Sequence, residues 1–280
     1  MSFLSSGLVH DAETIMNHHL TNTHFEFYQK NGYLIVDDFL DDRELAMWRE
    51  AVDEAVAARK NNRLPYNTAK IPAKAQGEAV FQQRINLWMD HPGVRRLMFD
   101  DRIGKMAADL EGVDGIRIWH DQALIKHPWA NPTTWHQDNT KWSFSSEHAI
   151  TIWVALDNVT LQNGCMFFLP GSHKARLKDH PAAGNRVGAM FETYPELGGL
   201  EPAPVVLRAG GCSFHNGLMV HAAHANMTPY PRRAFTCAYM PNGSTFNGTS
   251  NVLPDSMLES LQIGDVLDDD DQTPLIYSRR

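Results

Sequence analysis

Cysteine is scarce in this sequence. There are three, Cys165, Cys212 and Cys237, an odd number with no pair at zinc-ligand spacing. That excludes a disulfide framework and a cysteine-built zinc site as organising principles. Positive charge is also short: 25 Lys and Arg stand against 33 Asp and Glu, a net charge of −8. A nucleic-acid partner or an anionic membrane surface would need the opposite bias, so neither is expected. No apolar run is long enough to span a bilayer, and the first residues carry no basic stretch followed by an apolar core. A Ser-His-Asp order, a phosphate-cradling glycine loop and a dinucleotide fingerprint are missing as well. The expectation is a reduced, cytoplasmic protein. Its 43% hydrophobic and 21% charged residues fall in the ordinary globular range.

The 280 residues suit one large domain. Residues 1–24 are polar and His-rich and read as a flexible arm. Residues 25–280 read as a single domain whose C-terminal tail carries the solvated run Asp268-Asp269-Asp270-Asp271. Tyr33-Leu34-Ile35-Val36 predicts a buried strand after Asn31-Gly32. A helix follows from about Asp42, with Asp41 and Glu44 at capping-box spacing and Leu45, Trp48, Val52 and Val56 on one face. Residues 61–80 predict a long loop over a pocket. A second helical region spans about 92–110, with a break near Asp100-Asp101 and a stop at Gly112. From residue 116 onward short β-rich runs recur: 116–126, 133–139, 148–157, 164–169, 203–208, 212–221 and 232–240. Runs of this kind, punctuated by Gly and Pro, predict a mainly β sandwich or barrel, with the N-terminal helices packed on it. The stretch 174–202 interrupts them.

Histidine is abundant, with 14 residues. The informative pair is His136 and Asp138 in Trp135-His136-Gln137-Asp138. On a strand, residues two apart share a face, with Cα atoms roughly 6.5 Å apart at about 3.3 Å of rise per residue. An imidazole nitrogen and a carboxylate oxygen at that spacing can converge on one ion. A third ligand from another strand would complete a facial triad and leave the other side of the metal open. His221 closes the run 212–221, which reads as a kinked strand. Arg232 follows eleven residues later and opens the run 232–240. A guanidinium beside such a metal suits a second substrate bearing a carboxylate, which it grips with two hydrogen bonds.

In combination these features resemble the phytanoyl-CoA dioxygenase family. The likeness rests on Trp135-His136-Gln137-Asp138, on Asn163-Gly164-Cys165 with Pro170-Gly171-Ser172-His173, and on His221 through Arg232; it runs from about Phe25 to Pro241. It implies a double-stranded β-helix, a jelly-roll or cupin-like barrel, with Fe(II) as metal and 2-oxoglutarate as cosubstrate. It further implies His136, Asp138 and His221 as catalytic iron ligands, Arg232 as the partner of the distal carboxylate of 2-oxoglutarate, and Trp153 as an aromatic beside the cosubstrate. O2 and a small-molecule substrate would complete the reaction, with succinate and CO2 released and a C–H bond hydroxylated. The sequence departs from the family at Ala223, where members often carry a hydroxyl two positions after the distal His. Thr133 is the candidate replacement.

The remaining polar residues are weighed against ordinary packing. On 116–126, His120, Gln122 and Leu124 share a face, so Gln122 and His120 are candidate pocket contacts; His120 and Asp121 point opposite ways and are not a metal pair. His215 and His224 flank the distal ligand as competitors. Arg84, Arg117, Lys126 and Lys141 are the basic residues that could meet an anionic substrate. Trp135, Trp142 and Phe144 could line a mouth, and His173 reads as a turn residue. Halogenation would need a small residue in place of Asp138. The rival reading from another class is a cupin-like metal-binding isomerase or a non-catalytic binding protein.

Overall fold

The computed structural model describes residues 19–59, 81–175, 177 and 186–279. The loop expected over 61–80 lies outside the described residues. Helix α1 (Asn22–Asn31) begins three residues ahead of Phe25. Thr21 accepts a hydrogen bond from the His24 amide, and the His24 ring accepts one from the Thr21 amide. Histidine thus takes the place usually held by Glu or Gln in a capping box, which hides the helix start from a motif search. Gly32 ends the helix at φ 79, a left-handed conformation.

Strand β1 (Tyr33–Val36) and helix α2 (Asp42–Ala58) follow as expected, with the reciprocal Asp41 and Glu44 caps formed. The second helical region divides where the sequence places the break. Helix α3 (Pro92–Met98) stops before Asp100, whose carboxylate accepts from the Arg102 amide to start α4 (Asp101–Glu111). Ahead of α3 comes a strand with no clear signature in the sequence, β2 (Gln82–Ile85).

The β-rich half forms β3 (Gly115–Lys126), β4 (Thr133–His136), β5 (Ile150–Ala155), β6 (Met166–Phe168), β7 (Ala203–Val205), β8 (Cys212–Asn216), β9 (His221–Ala223), β10 (Arg232–Pro241) and β11 (Leu275–Ser278). They assemble into two antiparallel sheets. The larger runs β1-β8-β5-β10-β3-β11, with β2 also paired to β3; the smaller runs β4-β9-β6-β7. This is the double-stranded β-helix, with helices on the outer face of the larger sheet. There Trp48 of α2 meets Phe235 of β10 edge-on at 5.9 Å, and both are essentially buried. Burying an aromatic or aliphatic side chain of this size stabilises the fold by roughly 1.5–3 kcal/mol. Among the described residues, no helix is long and apolar enough to cross a membrane.

Three departures from the sequence reading shape the site. The run 212–221 is not one kinked strand: β8 belongs to the larger sheet and β9 to the smaller, and the chain crosses between them at Gly217. A Cβ at Gly217 would stand 2.9 Å from Trp142 and 3.2 Å from Ala149, so the crossing needs glycine. The register of β10 on β3 pairs Ala238 with His120 but Tyr239 with Ile118, leaving Trp119 as an extra residue in a β-bulge. Finally, the C-terminal segment is docked rather than trailing. Strand β11 pairs with the start of β3, and Asp270 receives Arg117 at 2.7 Å.

Candidate metal centre

His136 closes β4, opposite His221 at the start of β9. Asp138 lies beyond the strand end, at φ −76 and ψ −46, so the shared-face premise of the sequence reading does not hold. The carboxylate comes back to the histidines because the chain turns there. Two hydrogen bonds clip that turn to the β8–β9 crossing: the Gln137 side chain donates to the Leu218 carbonyl, and the Asn139 amide donates to the Gly217 carbonyl at 3.0 Å. The segments that bear the three side chains are therefore stitched to each other directly.

The donor atoms of His136, Asp138 and His221 all lie within 4.8 Å of one another. Asp138 Oδ1 stands 3.5 Å from His136 Nε2 and 3.8 Å from His221 Nε2. Both rings are oriented from behind. His136 Nδ1 lies 2.7 Å from the Thr134 carbonyl, and His221 Nδ1 lies 3.0 Å from the Met219 carbonyl. A carbonyl only accepts, so it assigns the proton to Nδ1 and leaves the Nε2 lone pairs facing the carboxylate. Metal-ligating histidines are held in this way. Burial, helped by the neighbouring His136, pushes the His221 ring down to about 3. Burial raises the Asp138 carboxyl, but His221, His136 and His215 outweigh it and hold the group well below the usual carboxylate range. A divalent metal requires an ionised carboxylate and neutral imidazole ligands, and the shifts of Asp138 and His221 run in those directions.

The triad opens on a cavity of about 120 Å³ that also reaches Arg232, Trp153, Gln122 and Thr133. Arg232 is 3% exposed. One of its terminal nitrogens donates to the Gly164 carbonyl at 3.0 Å, Nε has no partner, and the guanidinium lies 5.1 Å from the centre of the Trp153 ring. Lys126, its register partner on β3, is 1% exposed and donates to the carbonyls of Asn131 and His224 at 3.0 and 2.7 Å. Burial, then the guanidinium beside it, lowers the lysine to about 7; burial lowers Arg232 to about 10. The nearby Cys165 is pushed up to about 11 by burial, so it is a neutral thiol and no counterion. Among the described residues, neither cation has a carboxylate partner. Gly164 permits this packing: at φ +90, a Cβ there would stand 2.5 Å from the Lys126 side chain.

Thr133 lies directly across the β4–β9 pair from Ala223, where the hydroxyl is missing. Gln122 accepts from Gln83 of β2 and lies 3.2 Å from His120 Nδ1, so a polar chain lines the larger-sheet wall. Asp121 points the other way, as expected, and accepts from the amides of Leu87 and Trp88. Three of the four proposed substrate cations are placed elsewhere. Arg117 is engaged by Asp270 and Asn242, Arg84 donates to the carbonyls of Arg59 and Gln83, and Lys141 is exposed. Trp142 and Phe144 stack at 5.5 Å in a buried cluster, and Trp135 packs edge-on against Phe191 of helix α5 (Ala189–Thr193). The residue the sequence reading undervalued is His215, which lies against the triad.

A double-stranded β-helix whose cavity gathers two histidines and a carboxylate, with a buried guanidinium that has no carboxylate partner among the described residues, defines the class of iron- and 2-oxo-acid-dependent oxygenases. Residues 28–234 match the phytanoyl-CoA dioxygenase (PhyH) family, and the chain belongs to it. A methylphosphonate hydroxylase of Gimesia maris is 26% identical over 225 residues, covering 80% of this chain and 82% of that protein. The structure of the carbocyclase SnoK from nogalamycin biosynthesis, a non-haem alpha-ketoglutarate-dependent enzyme, has a TM-score of 0.78 and 26% identity, covering 93% of this chain and 98% of that one. The epimerase SnoN, in complex with Fe3+, alpha-ketoglutarate and nogalamycin RO, has a TM-score of 0.71 and 28% identity, covering 91% of this chain and 97% of that one.

Proposed function

We propose that this protein is an Fe(II)- and 2-oxoglutarate-dependent dioxygenase that hydroxylates an unactivated C–H bond of a small-molecule metabolite. In this reading His136, Asp138 and His221 hold the iron, and Arg232 binds the distal carboxylate of 2-oxoglutarate. Iron with 2-oxoglutarate and O2 supplies the oxidising power, and the balance is substrate, 2-oxoglutarate and O2 giving hydroxylated product, succinate and CO2. The chain's own residues orient and shield. The Thr134 and Met219 carbonyls keep the two imidazoles aimed, Trp153 backs the guanidinium, and Gln122 and Thr133 line the space between. The observation that carries the reading is Arg232. A guanidinium at 3% exposure with an unpartnered Nε and, among the described residues, no carboxylate paired to it is costly, unless a ligand's carboxylate completes it. Neither a cupin-like isomerase nor a non-catalytic binding protein requires such a cation. Three free, buried cysteines support a reducing, cytoplasmic setting.

The test is a screen for succinate release over a metabolite library, with Fe(II) and 2-oxoglutarate supplied. Substrate-dependent succinate accompanied by a product heavier by one oxygen supports hydroxylation. Succinate with a product of unchanged mass, or lighter by two hydrogens, would move the reading to epimerisation or ring closure. No succinate with any compound, and no uncoupled turnover, would favour the binding protein.

A further inference from the structure

His215 lies on β8, between Tyr33 of β1 and Thr151 of β5 in the sheet register, and is 2% exposed. Its ring is wedged between two others, with centroids 5.1 Å from Phe168 and 4.9 Å from His221. Neither ring nitrogen has a hydrogen-bond partner within bonding distance. An imidazole always carries at least one N–H, so a donor is buried there with nothing to receive it, an arrangement that calls for an explanation.

Its acceptor is close at hand. His215 Nε2 stands 3.6 Å from Asp138 Oδ2. The other carboxylate oxygen, Oδ1, is the one facing His136 Nε2 and His221 Nε2, at 3.5 and 3.8 Å. The carboxylate is thus divided between two neighbours, one oxygen toward the metal-facing nitrogens and one toward His215. We propose that His215 is a positioning residue of the metal centre, which donates Nε2–H to Asp138 Oδ2 and so presents Oδ1 alone to the metal. The proposal rests on the metal-centre reading above. A carboxylate left free to rotate can offer both oxygens to one ion, and the second would take a coordination position that the open face of a facial triad keeps available. His215 is suited to prevent this because it cannot move. Its strand is paired on both sides, and aromatic rings pack against its own. Supports of this kind behind a metal ligand typically change metal affinity by about 10–100-fold when removed.

The experiment uses Co(II) as the probe, titrated into the full chain and read by equilibrium dialysis and by its visible absorption bands, which report coordination number without turnover. Wild type, His215→Phe, His215→Gln and His221→Ala are compared, with thermal midpoints recorded; His215→Leu replaces the Phe variant if that one does not fold. Loss of the donor is expected to weaken Co(II) binding about 10–100-fold and to shift the bands toward higher coordination. Gln, whose amide can donate, is expected to restore most of both. Wild-type affinity and bands in the folded Phe or Leu variant would overturn the proposal. So would a Gln variant as weak as Phe, which would mean packing rather than donation. A loss as deep as that of His221→Ala would make His215 a ligand and overturn it too. If wild type and His221→Ala bind Co(II) alike, the metal-centre reading itself fails. If those two differ while His215→Phe matches wild type, only the present inference does.

Discussion

The β3–β10 ladder has two faces with opposite economies of charge. On the outer face, under the helices, Asp121 accepts from two backbone amides, and Arg233 is paired with Asp157 at 2.7 Å and Asp53 at 2.6 Å. On the inner face, Arg232 next to Arg233 on β10, and Lys126 five residues along β3 from Asp121, have carbonyls as their only partners among the described residues, and Arg232 Nε, Thr151 Oγ1 and both nitrogens of His215 on the neighbouring strands have no hydrogen-bond partner. The two faces differ by a single step in the two-residue period of a strand. A buried charge that finds its partner inside the chain holds the fold together. One that does not is a cost that a ligand can remove, and that cost points to the binding site.

The largest break in this comparison is expected at the triad. His136→Ala, Asp138→Ala and His221→Ala should each abolish turnover and weaken Fe(II) binding, with thermal midpoints near wild type. Double variants should be scarcely worse than singles, because the ligands act as a unit. Substantial activity in His221→Ala would overturn its assignment as a metal ligand.

The next effect separates the neighbours Arg232 and Arg233. Truncating one partner of a buried charge pair costs about 2–5 kcal/mol, so Arg232→Ala should raise the 2-oxoglutarate requirement about 30-fold or more. Lys at 232 should rescue in part, since it lacks the planar fork. Arg233→Ala should leave the cosubstrate requirement unchanged and destabilise the fold by about 1 kcal/mol or less, the usual worth of partly exposed pairs. A 2-oxoglutarate titration of the two variants decides it, and a large defect in Arg233→Ala alone would mean the ligand binds elsewhere.

What the sequence made legible were features with a local cause. The Asp41–Glu44 cap, the Asp100 break and the alternation of His120, Gln122 and Leu124 all follow from short-range rules and are present. The split of 212–221 was hidden because the run is buried almost throughout, although Asn216-Gly217 inside it is a turn dipeptide that could have signalled the crossing. The bulge at Trp119 was hidden for the same reason, since an apolar residue suits either face. Strand β2, Gln82-Gln83-Arg84-Ile85, is half-buried with one apolar side chain and shows no period. His215 has no motif at all: its relation to Asp138 exists only once two sheets face each other.

Lys126 sharpens the comparison through pH. Its ammonium is lowered to about 7 in the free protein, against roughly 10.4 in an unfolded chain. Between those values the unfolded chain binds a proton that the folded protein does not, so stability rises with pH across that window, and Lys126→Met should flatten the slope. An arriving carboxylate favours the charged lysine, so binding takes up a proton above pH 7. Affinity for 2-oxoglutarate should therefore fall as pH rises from 7 to 9, by at most about tenfold per unit. Calorimetry in buffers of different ionisation heat would detect the proton. A flat profile in wild type would detach Lys126 from the ligand.

The smallest effect concerns the hydroxyl missing at Ala223. Thr133 faces Ala223 directly across the β4–β9 pair, and both line the cavity that holds Arg232. A hydroxyl from the opposite strand can therefore serve a carboxylate at the place where one from residue 223 would. A neutral hydrogen bond is worth about 0.5–1.5 kcal/mol net, so Thr133→Val, which keeps the shape, should raise the 2-oxoglutarate requirement about threefold to tenfold. Ala223→Ser in the same background should restore it, because the hydroxyl returns from the facing strand. Thr133→Ser should be near wild type. If Thr133→Val titrates like wild type while Ala223→Ser alone tightens binding, this pocket runs one hydrogen bond short, and the inner face carries one more unmet group than Thr133 can answer.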